Sequence, residues 1–296
     1  MAGLSQLEPC PRRRPSGRSL LISLIHPTAI VDPSAAIGEG TKVGPYSIIG
    51  PNVILGRDNV VGPHVVIDGH TKIGNGNTFY QFSSVGAAPQ DLKYKGEASE
   101  LVIGDLNIIR ECVTLQPGTS GGGMLTKIGN QNLFMANTHV GHDTFVGNRC
   151  VFANSAALAG HVIVGDGVIV GGLSGIHQFV RLGDVAMIGA GAMVSQDVPP
   201  YFMAQGDRAT IHGINRVGLE RNGGTRDDLG ASRTLYRNVF TPGKGAGSAR
   251  STFKERVAAA KVQLAGNTRA AQVIEFLESS ERGICAHHAT PVDPGE

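Results

Sequence analysis

Aromatic side chains are scarce in this chain of 296 residues, which has no tryptophan and only 5% aromatic residues. Hydrophobic residues still make up 41% of the sequence, enough for a buried core, so a wholly disordered chain is excluded. Glycine is abundant, with 42 residues, but does not recur at every third position, which excludes collagen. This composition predicts a narrow interior filled by aliphatic side chains, with many tight turns.

Cysteine pairs, long apolar runs and excess charge are also missing. The four cysteines are scattered, so we expect reduced thiols and a cytoplasmic location, without disulfides. The longest apolar run near the N-terminus spans residues 20–25, too short for a signal peptide or a transmembrane segment. The net charge of +2 gives no reason to expect a nucleic-acid partner.

Residues 1–22 differ in composition from the rest of the chain. Four arginines lie there among prolines and serines, with a single acidic residue, Glu8. We expect a disordered extension, and an organelle-targeting peptide is the alternative that this composition leaves open. The predicted folded part starts at residue 23.

A period of six residues runs through most of the chain. Every sixth residue is apolar within residues 25–85, again within 103–115, and again within 128–194. With 41% hydrophobic residues overall, chance does not produce such a series. We call these residues the anchors; the next residue is usually glycine, as at Gly44 and Gly62.

A period of six fits neither a helix nor an alternating strand. It is typical of short strands that meet at corners, with the anchor pointing inward and glycine in the turn conformation. The repeat resembles the hexapeptide-repeat family, whose left-handed parallel β-helix takes three repeats per triangular coil. The resemblance implies a mainly β fold, with a catalytic β-helix over residues 23–202 and a smaller α-helical C-terminal domain over residues 203–296.

Two segments interrupt the period, residues 86–102 and residues 120–127. Loops that leave a solenoid are where binding groups tend to lie. The first carries Asp91 and Lys93. The second contains three consecutive glycines, and we expect only a flexible connection there.

Histidines recur in phase with the coil. Three anchors spaced 18 residues apart, within residues 140–176, are each followed by a histidine within three residues. Anchors at this spacing should stack in successive coils about 4.8 Å apart. A lone histidine on a solenoid is usually a solvated surface residue, but the shared phase favours a functional site. The predicted cluster consists of His139, His142, His161 and His177.

The centre of this cluster has the groups that acyl transfer to a hydroxyl requires. Asp143 follows His142, and the coil length places Gly160 directly over His142, with a backbone N–H open to a reacting oxygen. The imidazole would remove the hydroxyl proton as the oxygen attacks a carbonyl. No serine or cysteine in the cluster resembles a covalent nucleophile, so we expect direct transfer.

Local motifs make the resemblance more specific. They occur in order as Gly69-His70-Thr71-Lys72-Ile73-Gly74, Gln90-Asp91-Leu92-Lys93-Tyr94, His139-Val140-Gly141-His142-Asp143, Leu158-Ala159-Gly160-His161-Val162, His177-Gln178-Phe179 and Gln196-Asp197-Val198-Pro199-Pro200-Tyr201. Over about residues 26–240 the chain is similar to the acyl-[acyl-carrier-protein]:UDP-N-acetylglucosamine O-acyltransferases of lipid A biosynthesis.

The resemblance implies a reaction and its partners. His142 would be the general base on the sugar 3-hydroxyl, Asp143 would support it, and the Gly160 N–H would stabilise the oxyanion. The substrates would be UDP-N-acetylglucosamine and a 3-hydroxyacyl carrier protein. The cleft would lie between subunits of a homotrimer, and neither a cofactor nor a metal is expected.

The resemblance also implies binding residues. Gln116 and Val217 depart from the family pattern, which commonly has a histidine and a uracil-contacting acidic residue at these positions. Ala190 occupies the position that sets acyl-chain length, and its small side chain predicts a medium-length chain. The residues expected in the sugar-nucleotide and acyl cleft are Asp91, Lys93, His139, His161, His177 and Gln178, with Asn215 and Arg221 at the nucleotide phosphates and the mouth of the acyl site.

The C-terminal part of the chain is basic. Residues 207–256 contain ten Lys or Arg against five acidic residues. The pattern predicts amphipathic helices near residues 226–240 and 251–280, separated by a Pro/Gly segment at 242–247. Such a face is either simply solvated or a docking surface for the acidic carrier protein.

Three other functions are alternatives, and each would require a different feature of the sequence. The N-acyltransferase that acts later in the same pathway carries an N-terminal uridine-binding domain, for which there is no room before Ile25. A zinc enzyme of the γ-carbonic anhydrase type would need three imidazoles within about 2.1 Å of a metal ion. A purely structural solenoid would tolerate the loss of His142.

Overall fold

The computed structural model describes residues 24–241 and 251–285, so the predicted extension at 1–22 lies outside the described residues. From residue 25 the chain winds in coils of short parallel strands. Every anchor from Val43 to Val194 is buried, at most 5% exposed, and the three anchors before Val43 are partly buried against the same core. The apolar interior predicted from the six-residue period is confirmed, but it is not purely aliphatic, because the anchors Phe79, Phe134 and Phe152 are buried in it.

Three sheets line the three sides of the coil. Val140 pairs with Leu158, and Leu158 with Ile176, which confirms the 18-residue spacing. The first sheet contains Ile30–Val31, Ile48–Ile49, Val66–Ile67, Ser84–Val85, Thr114–Leu115, His139–Val140, Ala157–Leu158, Gly175–Ile176 and Met193–Val194. The second contains Ala36–Ile37, Ile54–Leu55, His70–Ile73, Glu100–Ile103, Leu125–Ile128, Phe145–Val146, Ile163–Val164 and Arg181–Leu182. The third contains Lys42–Val43, Val60–Val61, Thr78–Phe79, Ile108–Ile109, Leu133–Phe134, Val151–Phe152, Ile169–Val170, Met187–Ile188, Phe202–Gln205 and Thr210–Ile214.

The glycines after the anchors serve a different purpose from the one expected. Gly44 and Gly62 do not have positive φ; the left-handed corners are taken mostly by other residues, such as Tyr46 and His64. A Cβ on Gly44 would lie 2.7 Å from the carbonyl carbon of Gly62 in the next coil. The expectation of a turn conformation was therefore wrong, because these glycines permit the close approach of successive coils.

A ladder of buried asparagines runs along one corner of the solenoid. The Asn77 amide donates to Asn59 Oδ1 at 3.0 Å, and the Asn107 amide donates to Asn77 Oδ1 at 3.0 Å. Asn132 continues the ladder through its backbone N–H, which donates to Asn107 Oδ1 at 2.9 Å. Each rung satisfies the next, so these polar groups lie in the core without the cost of an unpaired donor or acceptor. The apolar period did not predict this ladder.

The C-terminal region begins with strands before its helices. Phe202–Gln205 and Thr210–Ile214 extend the third sheet as an antiparallel pair, so helices start only at Arg216 and not directly after residue 202. The helix predicted over 251–280 is two helices, separated at Gly266 and Asn267. The helices are α1 (Arg216–Arg221), α2 (Arg226–Leu235) continued by a π-helical turn (Tyr236–Phe240), α3 (Phe253–Gln263) and α4 (Thr268–Glu278).

Polar contacts fasten these helices to the last coil. Asp197, 1% exposed, accepts hydrogen bonds from the Arg181 guanidinium at 3.0 Å and from the Ser280 hydroxyl at 2.8 Å. Gln272 of α4 accepts from Tyr201 at 2.6 Å and donates to Asp184 at 2.6 Å. Across 24–241 and 251–285, no helix has the length and apolar character needed to cross a membrane.

Candidate active site

A groove of about 720 Å³ follows the outer face of the first sheet. Its floor is the outward row His139, Ala157, Gly175 and Met193, which pair in register from coil to coil. The small side chains in the middle of this row leave an open strip between polar groups. Of the predicted site residues, this groove is lined by His139, His142, Gly160, His177 and Gln178.

His142 and Asp143 form the pair that the sequence predicted. The two residues occupy the corner after the His139–Val140 strand, where Asp143 adopts a φ of +57°. The His142 Nδ1 lies 2.8 Å from Asp143 Oδ2. Asp143 is 2% exposed, whereas the His142 ring reaches the groove. Because a carboxylate only accepts hydrogen bonds, we assign the proton to Nδ1, which leaves the Nε2 lone pair free to act as a base.

Gly160 lies directly against the His142 ring. A Cβ at position 160 would be 2.5 Å from Cε1 and 2.6 Å from Nε2 of His142. Only glycine therefore fits beside this imidazole. The Gly160 carbonyl accepts from Phe179, but within the described part of the chain nothing accepts a hydrogen bond from the Gly160 N–H. That N–H is the free donor that the sequence analysis predicted.

The surroundings of His139 and His161 lower the pKa of both imidazoles, which favours their uncharged forms. Burial lowers the pKa of His139 below its ordinary value, and the nearby His142 lowers it further. Burial also lowers the pKa of His161, opposed by the negative charges of Asp143 and Asp91. His139 Nδ1 is hydrogen-bonded to Thr114 Oγ1 at 2.7 Å, and the His161 ring stacks on Phe179 at 4.4 Å. His161 thus lies beside the pair rather than in the groove.

Sequence reasoning missed Arg282, which fixes His177. The Arg282 guanidinium donates to His177 Nδ1 at 2.8 Å and to the Ser195 carbonyl at 2.9 Å. Since arginine only donates and its contact is the shorter one, we assign Nδ1 of His177 as an acceptor with the proton on Nε2; the Gln178 carbonyl, 3.2 Å from Nδ1, then receives no hydrogen bond from the ring. The two residues are 105 positions apart. No periodicity in the sequence could have paired them.

The first segment that interrupts the period, residues 86–102, brings polar groups near the corner that holds His142 and Asp143. Gln90 lines the groove, and Asp91 is close enough to act electrostatically on His161. Asp91 Oδ1 accepts from the Lys93 backbone N–H at 2.9 Å, and the Lys93 side chain is exposed. Gln116, one of the departures from the family pattern, is 5% exposed and also lines the groove.

Three predicted residues lie away from the groove of this single chain. The Asn215 side chain caps α1, accepting from the Gly218 N–H at 2.9 Å and donating to the Val185 carbonyl at 2.8 Å. Arg221 ends α1 in an exposed position. Ala190 is exposed at the corner before the Met193–Val194 strand. Their expected roles at a substrate stay predictions.

The geometry of a metal site is only partly met. The ligand atoms of His142, Asp143 and His161 all lie within 4.8 Å of one another. Both carboxylate oxygens of Asp143, however, already accept hydrogen bonds from Thr119. Within the described ranges no third imidazole joins this group. The donor set therefore differs from the three imidazoles of a γ-carbonic anhydrase-type zinc site.

Comparisons with known proteins agree with the repeat. Residues 197–285 match a family model described as UDP N-acetylglucosamine O-acyltransferase, domain 2, and residues 34–69 match one described as bacterial transferase hexapeptide (six repeats). Acyl-[acyl-carrier-protein]–UDP-N-acetylglucosamine O-acyltransferase from Myxococcus xanthus is 53% identical over 88% of this chain and 98% of that protein. The enzyme of the same name from Sulfurovum sp. is 46% identical over 89% and 98%.

A solved structure shows the same architecture. The UDP-N-acetylglucosamine O-acyltransferase from Moraxella catarrhalis superposes with a TM-score of 0.83 at 41% identity, covering 88% of this chain and 99% of that one. This likeness and the hexapeptide repeat confirm the predicted fold class, a left-handed parallel β-helix followed by a smaller helical region. The chain belongs to the family of acyl-[acyl-carrier-protein]–UDP-N-acetylglucosamine O-acyltransferases, and it is an enzyme.

Proposed function

We propose that this enzyme transfers a 3-hydroxyacyl group from an acyl carrier protein thioester to the 3-hydroxyl of UDP-N-acetylglucosamine, the first step of lipid A biosynthesis. The observation that carries the mechanism is the His142–Asp143 pair, with its ring against Gly160 at the edge of the groove. His142 is the general base, and the reaction takes place without a covalent enzyme intermediate.

The proton transfer begins at His142 Nε2. This nitrogen takes the proton of the sugar 3-hydroxyl while the hydroxyl oxygen attacks the thioester carbonyl. The imidazolium that forms is stabilised by Asp143, whose carboxylate lies 2.8 Å from Nδ1. When the thiolate of the carrier leaves, the imidazolium returns the proton to sulfur, so the base is regenerated.

The negative charge that develops on the oxygen of the attacked carbonyl needs a hydrogen-bond donor close to His142. The Gly160 N–H supplies it, because it lies next to the base and has no acceptor in the described part of the chain. Direct transfer is favoured because, among the described residues that line the groove, Ser195 alone bears a hydroxyl. Ser195 follows Val194, three coils beyond Val140, or about 14 Å away, too far for His142 to activate it.

The row from Ala157 to Met193 provides an apolar surface for the acyl chain. The chain-length role of Ala190 rests on the family resemblance; its small side chain is exposed at the corner before the Met193–Val194 strand. The expected product carries a medium-length chain. Mass spectrometry of the products from a series of acyl carrier proteins tests this, and preference for a short or a very long chain would contradict it.

The carrier protein and a homotrimer are the proposed partners. A depression of about 840 Å³ lies between α2 with its π-helical continuation and the turn that follows α3. It is lined by Arg226, Arg233 and Arg237 against one acidic residue, Asp227, a net basic surface that suits an acidic carrier. Arg233→Glu should raise the KM for the acyl carrier protein and leave that for the nucleotide sugar unchanged.

The proposed homotrimer has its own test. Light scattering should give three times the chain mass; a monomer with full activity would contradict the trimeric cleft.

The decisive experiment compares wild type with His142→Ala in an acyl-transfer assay with UDP-N-acetylglucosamine and 3-hydroxyacyl carrier proteins. Loss of the base should lower kcat by about 10²- to 10⁴-fold. His26→Ala, an exposed histidine on the first coil, is the matched control and should retain wild-type turnover. Equal rates for wild type and His142→Ala would remove His142 from the base role.

A zinc enzyme of the γ-carbonic anhydrase type is the second candidate, favoured only by the spacing of His142, Asp143 and His161. Metal analysis of the purified protein separates the two. Stoichiometric zinc whose removal abolishes activity would overturn the acyltransferase mechanism described above.

A further inference from the structure

The segment that interrupts the repeat before Leu125 is built around the Asp143 carboxylate. Thr119 gives Asp143 two hydrogen bonds: its backbone N–H donates to Oδ1 at 2.9 Å and its hydroxyl donates to Oδ2 at 2.6 Å. Both residues are buried, 3% and 2% exposed. We expected only a flexible connection at residues 120–127, but Thr119, directly before that segment, and Gly122 within it both contact the carboxylate of the catalytic pair.

Two further residues of the same segment restrict Asp143. A Cβ on Gly122 would overlap the Asp143 carboxyl group, so the Gly122 backbone packs directly against it. The Asp143 backbone N–H donates to Thr126 Oγ1 at 2.7 Å, which supports the left-handed conformation at that corner. Asp143 is therefore fixed at its side chain by Thr119 and Gly122, which lie between strands, and at its main chain by Thr126 of the Leu125–Ile128 strand.

The hydroxyl of Thr119 is one hydrogen bond removed from His142, the proposed base. It donates to Oδ2, the same oxygen that lies 2.8 Å from His142 Nδ1. A hydroxyl-to-carboxylate bond of 2.6 Å is of the charge-assisted kind, which is about twice as strong as a neutral one. With donors on both oxygens, the carboxylate cannot turn away from the imidazole without breaking one of these bonds.

We propose that Thr119 is a positioning residue for acyl transfer: its hydroxyl holds Asp143 so that His142 keeps its proton on Nδ1 and presents Nε2 to the substrate. This role rests on the proposed function of His142 as the general base. Thr119 does not line the groove, so its effect passes through Asp143 and not through substrate binding.

Thr119→Val tests the hydroxyl alone, because valine has a similar shape and keeps the backbone N–H. Loss of a hydrogen bond to a charged group should lower kcat by about 10- to 100-fold, with the KM of both substrates unchanged within about twofold. Thr119→Ser, which restores the hydroxyl, should recover most of the rate. Thr41→Val is the matched control: Thr41 is 2% exposed and its hydroxyl donates to Gly56 in the first coils, so turnover should stay at the wild-type level.

A double-mutant cycle separates positioning from a general loss of structure. In the His142→Ala background, Thr119→Val should cause no further fall in rate, because its effect acts through His142. An equal fall in both backgrounds would show a merely structural role and overturn the inference. If His142→Ala is inactive while folded Thr119→Val turns over like wild type, the inference fails and the proposed function stands. If His142→Ala itself is as active as wild type, the proposed function fails.

Gly122→Ala keeps the inference testable if Thr119→Val does not fold. The added methyl group must displace the Asp143 carboxylate, so kcat should fall while the KM values stay the same. A folded Gly122→Ala with wild-type kcat would contradict the placement of this segment as the support of Asp143.

Discussion

Gly160→Ala is the substitution whose effect follows most directly from the geometry. The new Cβ would lie 2.5 Å from Cε1, 2.6 Å from Nε2 and 2.9 Å from Nδ1 of His142. Carbon atoms in contact are normally about 3.5 Å apart or more, so the imidazole must retreat by about 1 Å. It cannot do so freely, because Nδ1 is hydrogen-bonded to the buried Asp143.

The expected magnitude follows from that displacement. Misplacement of a reacting group by about 1 Å costs on the order of 10²-fold in rate, equivalent to about 2.7 kcal/mol of activation free energy. Overpacking of the corner should cost about 1 to 3 kcal/mol of stability, a drop of a few degrees in Tm. The KM values should change little, because the groove floor from Ala157 to Met193 is untouched.

The assay measures kcat and KM for both substrates in Gly160→Ala and in a control glycine variant. Gly230→Ala is suitable, because no atom lies within 4 Å of the position its Cβ would take, and its site in α2 favours alanine over glycine. It should retain full turnover. A folded Gly160→Ala that turns over like wild type would refute the contact between residue 160 and the His142 ring.

Three other predictions concern stability, protonation and thiol chemistry. Asp197→Ala should lower the free energy of unfolding by about 3 kcal/mol in urea titrations, since it removes the buried carboxylate that pairs with Arg181 and leaves that guanidinium only its hydrogen bonds to Ser279 and the Phe276 carbonyl; a loss below about 1 kcal/mol would contradict this. The NMR titration midpoint of His139 should lie below 6.5, and because its folded pKa is lowered, this residue reduces stability as pH falls through 6.5; a midpoint above 6.5 would oppose it. Burial raises the pKa of Cys150 to about 12 and that of Cys285 to about 11, so iodoacetamide should label exposed Cys112 before Cys150 and Cys285, as peptide mass spectrometry would reveal.

The solenoid could be predicted almost completely from the sequence, because each coil repeats the same local requirement. An anchor side chain points inward and must be apolar, and every anchor from Val43 to Val194 is buried. The reason for the glycines could not be obtained this way. These residues must be glycine, as at Gly44, because a side chain would collide with the coil 18 residues away, and not because of a local turn.

The phase of the histidines predicted their shared corner but not their separate environments. His142 reaches the groove, whereas His161 turns back toward Asp143 and stacks on Phe179. Asn215, expected at the nucleotide, is committed to the start of α1. Spacing along the chain places a Cα in the coil; which way the side chain turns depends on partners that the period does not contain.

The interruption before Leu125 explains how a regular solenoid can hold a base in one orientation. In an unbroken repeat, an outward side chain at a corner has neighbours only in the coils above and below it. On one side of His142 that neighbour is Gly160, which has no side chain that could bond the imidazole. Orientation of the imidazole therefore needs a carboxylate, and a buried carboxylate needs donors that the coil cannot provide. Because the chain leaves the repeat between Gly118 and Met124, Thr119 reaches Asp143 from the side, and the departure from periodicity becomes part of the active site.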